Sequence, residues 1–295
     1  GSGKSVTSMA IMKLLPKNIV KYGDDSLIVF EGQEILSLSD QQMRTIRGKR
    51  IGMIFQEPMT SLNPYMKIGQ QVAEAISIHN PSISKSKAAQ MALETLQRVK
   101  IPNADKKMNS YPHEFSGGQL QRIMIAMAII NKPDLLIADE PTTALDVTTQ
   151  AEILDLMREL QRDMGMAIIL ISHDLRLVKR YSDDVCVMQY GAIIERGKTE
   201  EVFNNQQHHY TVELLTPIPE SLKQSPGKDV PNLITADDVE VDYVIKRSFF
   251  GKPTQVFNAV KGISLNLKVG ETLGIVGNPY SSFLLALNRS NHDSF

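Results

Sequence analysis

DLLIADEPTTALD, residues 134–146, carries the reading that decides the fold. Pro133 stops a preceding helix, and Leu135 to Ala138 form a short apolar run of the length of a buried parallel strand. Two acids, Asp139 and Glu140, follow at its C-terminal end, the edge at which open α/β sheets bind ligands. One carboxylate can hold Mg²⁺, directly or through water, and the next can orient and deprotonate a water. A lone Asp-Glu pair is most often a solvated strand end. The other motifs of the chain decide against that.

Bulk composition sets outer limits. A chain of 295 residues can bury a sizeable core in one or two domains. Lys plus Arg (32) nearly balances Asp plus Glu (33), so no global basic field points to nucleic acid. The longest purely apolar run, Ile123 to Ile130, is far short of a bilayer span, so any membrane role is expected to go through a protein partner. A single cysteine, Cys186, allows no internal disulfide framework and fits a reducing cytosol. The start on glycine suggests a fragment.

The first residues, GSGKS, form the back half of the pattern GxxxxGK[ST]. Gly1, Ser2 and Gly3 let backbone N–H groups approach phosphate, Lys4 reaches the β/γ-phosphates, and the Ser5 hydroxyl ligates Mg²⁺. Val6 to Leu15 reads as a helix with Val6, Met9, Ala10 and Leu14 on one face and Pro16 ending it. A polar β-region and a short helix are expected over residues 17–50. IGMIF, residues 51–55, is a second buried strand, and Gln56 at its end can sense a Mg²⁺-bound water and report it to the turn-rich loop that follows. From Ile68 to about Lys107 the pattern turns helical and predicts a lobe separate from the sheet.

In YPHEFSGGQLQR, residues 111–122, Ser116 is an N-cap, and Gly117 and Gly118 expose backbone N–H groups at a helix N-terminus, a second anion site. A helix from about Val147 to Met164 closed by Gly165, and a strand over Ala167 to Ile171, follow the acidic strand. That last strand delivers His173 to the edge that carries Gln56, Asp139 and Glu140.

GSGKS, the glutamine after IGMIF, FSGGQLQR, LLIADEP and ISHD, in this order and spacing, resemble an ABC-transporter ATPase over nearly all of residues 1–220. FQEPMTSLNP, YPHEFSGG, RIMIAMAI and ADEPTTALDVTTQ look like the ATPases of bacterial peptide, nickel and glutathione importers, as does the tail HHYTVELLTPIP, with His209 where proline is usual. The resemblance implies an α/β P-loop NTPase fold, with a mainly parallel sheet, helices on both faces and a helical subdomain at about residues 70–132. It implies that Gly1, Ser2, Gly3, Lys4 and Ser5 bind ATP and that Ser5, Gln56 and Asp139 serve Mg²⁺. It makes Glu140 the general base, His173 the γ-phosphate switch, and Asp146 the residue that speaks to the opposite subunit. Ser116, Gly117, Gly118 and Gln119 would contact ATP bound on a second ABC ATPase domain. Transmembrane permease subunits, and indirectly a periplasmic or extracellular solute-binding protein, are the implied partners at the cytoplasmic face of the plasma membrane; no nucleic acid is expected. Two other readings stay open: an ABC-type ATPase of DNA repair or chromosome maintenance, and a catalytically inactive module.

After a linker at 216–231 the sequence starts over. Residues 233–243 and 261–267 resemble the opening strands of another ABC domain, and GETLGIVG, 270–277, the strand entering its P-loop. Tyr243 is a candidate for stacking on adenine or for core packing. Tyr280, Ser282, Phe283 and Leu284 stand where that P-loop wants Gly, Gly, Lys and Ser, so phosphate binding there is expected to fail. The organisation expected is an ATPase domain at 1–215 that lacks its first strands, then part of a second at 232–295 with a degenerate P-loop: a piece of a tandem fused ATPase. Strands 233–277 folding back to complete the first sheet is a further expectation.

Overall fold

The computed structural model describes residues 2–56, 61–143, 145–216, 230–247 and 253–269. The chain divides into two compact units, Gly1–Pro217 and Ile218–Phe295. The first opens with α1 (Lys4–Ile11), the antiparallel pair β1 (Val29–Phe30) and β2 (Gln33–Glu34), α2 (Asp40–Ile46) and β3 (Ile51–Ile54). Helices α3 (Ile68–Ser77), α4 (Lys85–Arg98), α5 (Ala104–Lys107) and α6 (Gly117–Ile129) come next. Then β4 (Leu135–Asp139), α7 (Val147–Met164), β5 (Ala167–Ile171) and α8 (Leu175–Tyr181) alternate. An antiparallel pair, β6 (Asp184–Gln189) and β7 (Ala192–Lys198), leads to α9 (Thr199–Asn204) and α10 (His209–Leu215). In the second unit β8 (Asn232–Arg247) and β9 (Pro253–Lys268) pair antiparallel.

The central sheet is parallel, in the order β3-β4-β5. Its middle strand alternates between two cores, because successive side chains of a strand point to opposite faces. Leu135 and Ile137 pack with Met12, Ile35, Met43 and Ile51 on one face. Leu136 and Ala138 pack with Ile123, Ile125, Ile153 and Leu156 on the other. Both faces are therefore covered by helices, which is why β4 reads as an uninterrupted apolar run.

Three expectations are corrected. The first helix ends at Ile11 rather than at Pro16. Lys13 turns left-handed (φ 50°), and Lys13 N–H and Leu14 N–H donate to Ala10 O and Met9 O at 2.9 and 2.8 Å. That is a Schellman closure with lysine where glycine is usual. The Lys13 ammonium, donating to Leu36 O and Leu38 O at 2.6 and 2.5 Å, holds the residue there. As a result the buried face differs too: Ser8 and Met12 are inside, whereas Val6 and Leu14 are exposed. The helical lobe is not separate, since Ile68, Val72, Ala92, Leu96 and Val99 share one continuous core with Ile54, Leu136 and Ala138. Gly1, most of the 216–231 linker, the 270–277 strand and the 278–295 tail lie outside the described residues.

Close approach of α6 to β3 depends on Gly52. A Cβ on this residue would lie 2.5 Å from the carbonyl oxygen of Ala128, a backbone atom that cannot swing aside. Overpacking of this kind costs about 1–3 kcal/mol. Gly52→Ala is therefore expected to lower the melting temperature of the chain by several degrees in a thermal unfolding experiment; an unchanged midpoint would show that the α6–β3 contact yields at no cost.

Candidate functional site

The site is built where three parallel strands end together. Ile54 is level with Ala138, and Asp139 with Ile171. Gln56 stands two residues beyond β3, Asp139 ends β4, and His173 stands two residues beyond β5. Parity then separates the two acids. Asp139 falls on the face of Leu135 and Ile137, the face that α1 covers, and Glu140 falls past the strand end.

At the start of α1, Gly3 is left-handed (φ 95°), a conformation that glycine adopts without a Cβ penalty. A Cβ there would also sit 3.3 Å from Gly191 Cα. Gly191 N–H donates to Ser2 O at 3.1 Å, so the turn between β6 and β7 clamps this segment. No side chain caps α1, which leaves its first N–H groups for an anion. Lys4 Nζ donates to Ser2 Oγ at 3.0 Å. One residue on, Ser5 Oγ donates to Asp139 Oδ1 at 3.1 Å across the top of the sheet.

Asp139 is only 4% exposed. Burial pushes its carboxyl above the ordinary aspartate range, and neighbouring Glu140 adds to this, while the Ser5 hydrogen bond and the Lys4 charge pull the other way. A buried carboxylate in this state gains from a cation. Its contact with a serine hydroxyl makes an all-oxygen donor pair that fits Mg²⁺, an ion that takes one or two protein ligands and completes its shell with phosphate and water. No group of three or more His, Cys, Asp or Glu side chains fit to hold a metal occurs among the described residues.

Glu140 has left-handed backbone (φ 49°), and its N–H donates to Ile171 O at 2.9 Å, tying the end of β4 to the end of β5. Its side-chain oxygen Oε2 gathers three partners. Gln56 Nε2 and Thr143 Oγ1 each donate to it at 2.9 Å, and His173 Nδ1 lies 3.3 Å away. Burial opposes ionisation here as well, but the Thr143 and His173 interactions outweigh it, with the His173 and Lys4 charges, and hold Glu140 below the usual carboxylate range.

Gln56, Asp139, Glu140, His173, Lys4 and Ser5 thus form one linked cluster. The SGGQ residues are not part of it. Ser116 caps α6 through its hydroxyl to Gln119 N–H at 3.4 Å, while Gln119 Oε1 accepts from Ser116 N–H at 3.3 Å and from Lys107 Nζ at 3.2 Å. Ser116 and Gly117 remain exposed beside this cap. Asp146 caps α7, accepting from Thr149 N–H at 3.0 Å and Thr149 Oγ1 at 2.6 Å. The side chain of Tyr243 lies outside the described residues. Thr143 is the residue that the sequence reading missed. The available signal was a hydroxyl three positions after the acid, in a Pro-containing segment fit to turn back on itself.

A family model described as ABC transporter matches residues 1–143. The chain is 44% identical over 292 residues to the peptidoglycan transport ATP-binding protein YejF of Agrobacterium fabrum, covering 98% of this chain and 53% of that protein. It is 48% identical over 240 residues to the oligopeptide transport ATP-binding protein OppD of Haemophilus influenzae, covering 79% of this chain and 73% of that one. Among solved structures, it superposes on the dimeric, post-hydrolysis ATP-binding cassette MJ0796 bound to ADP and Pi with a TM-score of 0.58 and 26% identity, over 67% of this chain and 81% of that one. The chain spans about half the length of several curated relatives, with 53% and 52% of two YejF proteins covered.

The Asp146 cap carries a pH signature. The Thr149 hydrogen bonds hold its carboxyl below the ordinary aspartate range. A depressed folded-state pKa contributes stability that is present above the unfolded value and lost as pH falls through the folded one. Asp146→Asn keeps a capping oxygen but cannot titrate. Melting curves taken from neutral pH down to about pH 3 should fall less steeply for the variant than for the unmodified chain; parallel curves would count against the cap as a titrating contact.

Proposed function

The chain belongs to the ABC transporter family, and from that premise we propose that it binds and hydrolyses ATP to energise import of a peptide-like solute through membrane partners. The observation that carries this reading is the linked cluster at the ends of β3, β4 and β5. There Ser5 meets Asp139, while Gln56 and His173 meet Glu140. Four widely separated segments supply it, and each brings the residue type that phosphoryl transfer to water requires.

In this reading the free N–H groups of α1, with Gly1, Ser2, Gly3 and Lys4, cradle the phosphates. Ser5 and Asp139, with Gln56, would hold Mg²⁺. When bound there, Mg²⁺ would supply neutralisation of phosphate charge. Glu140 orients the attacking water and takes its proton. A carboxylate held low is fully ionised at neutral pH yet only a weak base. That suits a loose transition state, in which bonding to the nucleophile is slight and proton transfer comes late. His173, exposed at its strand end, serves the γ-phosphate. The exposed Ser116–Gly117 end of α6, with Gly118 and Gln119, and the Asp146 region face nucleotide on a second ATPase domain. Tyr243 is proposed as an adenine-stacking residue.

Assembly with permease subunits, and indirectly with a solute-binding protein, is proposed from the transport names of the relatives. No helix among the described residues is long and apolar enough to cross a membrane, so attachment at the cytoplasmic face would be peripheral. The same names, peptidoglycan and oligopeptide, supply the solute class.

Two variants test the reading with a fluorescent ATP analogue and a phosphate-release assay. Lys4→Ala is expected to abolish nucleotide binding. Glu140→Gln should keep binding but lower turnover at least 100-fold, the scale of a lost general base. Rapid turnover by Glu140→Gln would remove Glu140 from its assigned role; analogue binding indifferent to Lys4 would remove the phosphate cradle.

A further inference from the structure

We propose that Thr143 is a positioning residue for hydrolysis, the donor that holds Glu140 from within its own turn. The proposal rests on the ATPase reading above and adds a residue to it.

Three groups meet at Glu140 Oε2, the donors Gln56 and Thr143 and the His173 imidazole, and they differ in where they come from. Gln56 follows β3 and His173 follows β5, so each stands on a separate segment. Both are also the groups that an incoming nucleotide would engage in their assigned roles. Gln56 would offer its amide oxygen to Mg²⁺ and His173 its other ring nitrogen to γ-phosphate, so the position of each also answers to the nucleotide. Thr143 has no such second task. It lies three residues after Glu140 in one turn, closed by Thr143 N–H to Glu140 O at 3.1 Å and by Thr143 Oγ1 to Glu140 Oε2 at 2.9 Å. Backbone and side chain thus close the same turn.

That double closure answers a constraint at Glu140. A left-handed glutamate (φ 49°) at the end of a strand is an uncommon backbone state that must be held by its surroundings. Glu140 N–H to Ile171 O fixes the residue from below, and Thr143 fixes it from above. With Oε2 tethered to its own turn, the carboxylate keeps one orientation whatever Gln56 and His173 contact. The second oxygen, Oε1, accepts no hydrogen bond among the described residues and is the one left for water. Removing the tether frees the side-chain torsions of Glu140 at the moment its direction matters, and misplacement on the scale of 1 Å can cost a rate factor of about 100.

The test compares Thr143→Val and Thr143→Ser with the unmodified full chain, measuring kcat and KM for ATP, affinity for the fluorescent analogue, and melting temperature. Thr143→Val is expected to lower kcat about 10- to 100-fold. KM, analogue affinity and melting temperature should stay close to those of the unmodified chain. Thr143→Ser, which retains the hydroxyl, is expected to recover most of the turnover. Unchanged turnover in the valine variant overturns the proposal. So does a valine variant whose affinity or melting temperature falls with its rate, or a serine variant as slow as the valine one. An unmodified chain that hydrolyses no ATP overturns the functional reading itself, and this proposal with it, which separates that failure from the others.

Discussion

The parallel register of β4 between β3 and β5 is the constraint on which the site depends. Hydrogen bonding on both edges fixes the level at which the three strands end, with Ile54 beside Ala138 and Asp139 beside Ile171. Burial on both faces fixes which way each side chain points. A one-residue slip would exchange the faces, sending Asp139 into the core of α6 and α7 and away from Ser5. The chemistry is therefore set by a packing decision. Leu136 and Ala138 can face only the helical lobe because Leu135 and Ile137 are committed to the side of α1 and α2.

The lobe and the sheet share that commitment. Gly52 lets α6 approach β3 so closely that an added methyl would meet Ala128 O at 2.5 Å. The strand that leads to Gln56 and the helix that begins at Ser116 thus lie against each other along their length. A displacement of α6 would be felt at Gln56, and through it at Glu140. The strand that ends near Gln56 and the helix that begins at Ser116 are thus joined by one continuous core.

The cluster sets two adjacent carboxylates in environments that shift them in opposite directions. Burial on a strand face pushes the Asp139 carboxyl above the ordinary aspartate range. Glu140, past the strand end, is held ionised by hydroxyl and imidazole neighbours. Environment separates them, in the direction that the roles proposed for them would need, a ligand for metal and an anion beside water.

The sequence by itself determined the strands around 51–55, 134–139 and 167–171, the caps at Ser116 and Gly165, and the meeting of Gln56, Glu140 and His173 at one edge. Apolar run length and cap chemistry are local properties, and parallel strands joined by helices must all end on the same side. The early close of α1 at Ile11 was not legible, because it depends on Lys13 reaching the carbonyls of Leu36 and Leu38, more than twenty residues away. Nor was the shared core of lobe and sheet, since periodicity reports which face is buried but not against what. Thr143 was hidden for the same reason. A threonine in a turn is ordinary by composition, and only the tertiary structure, with Glu140 left-handed and bonded to Ile171, brings the hydroxyl onto the carboxylate.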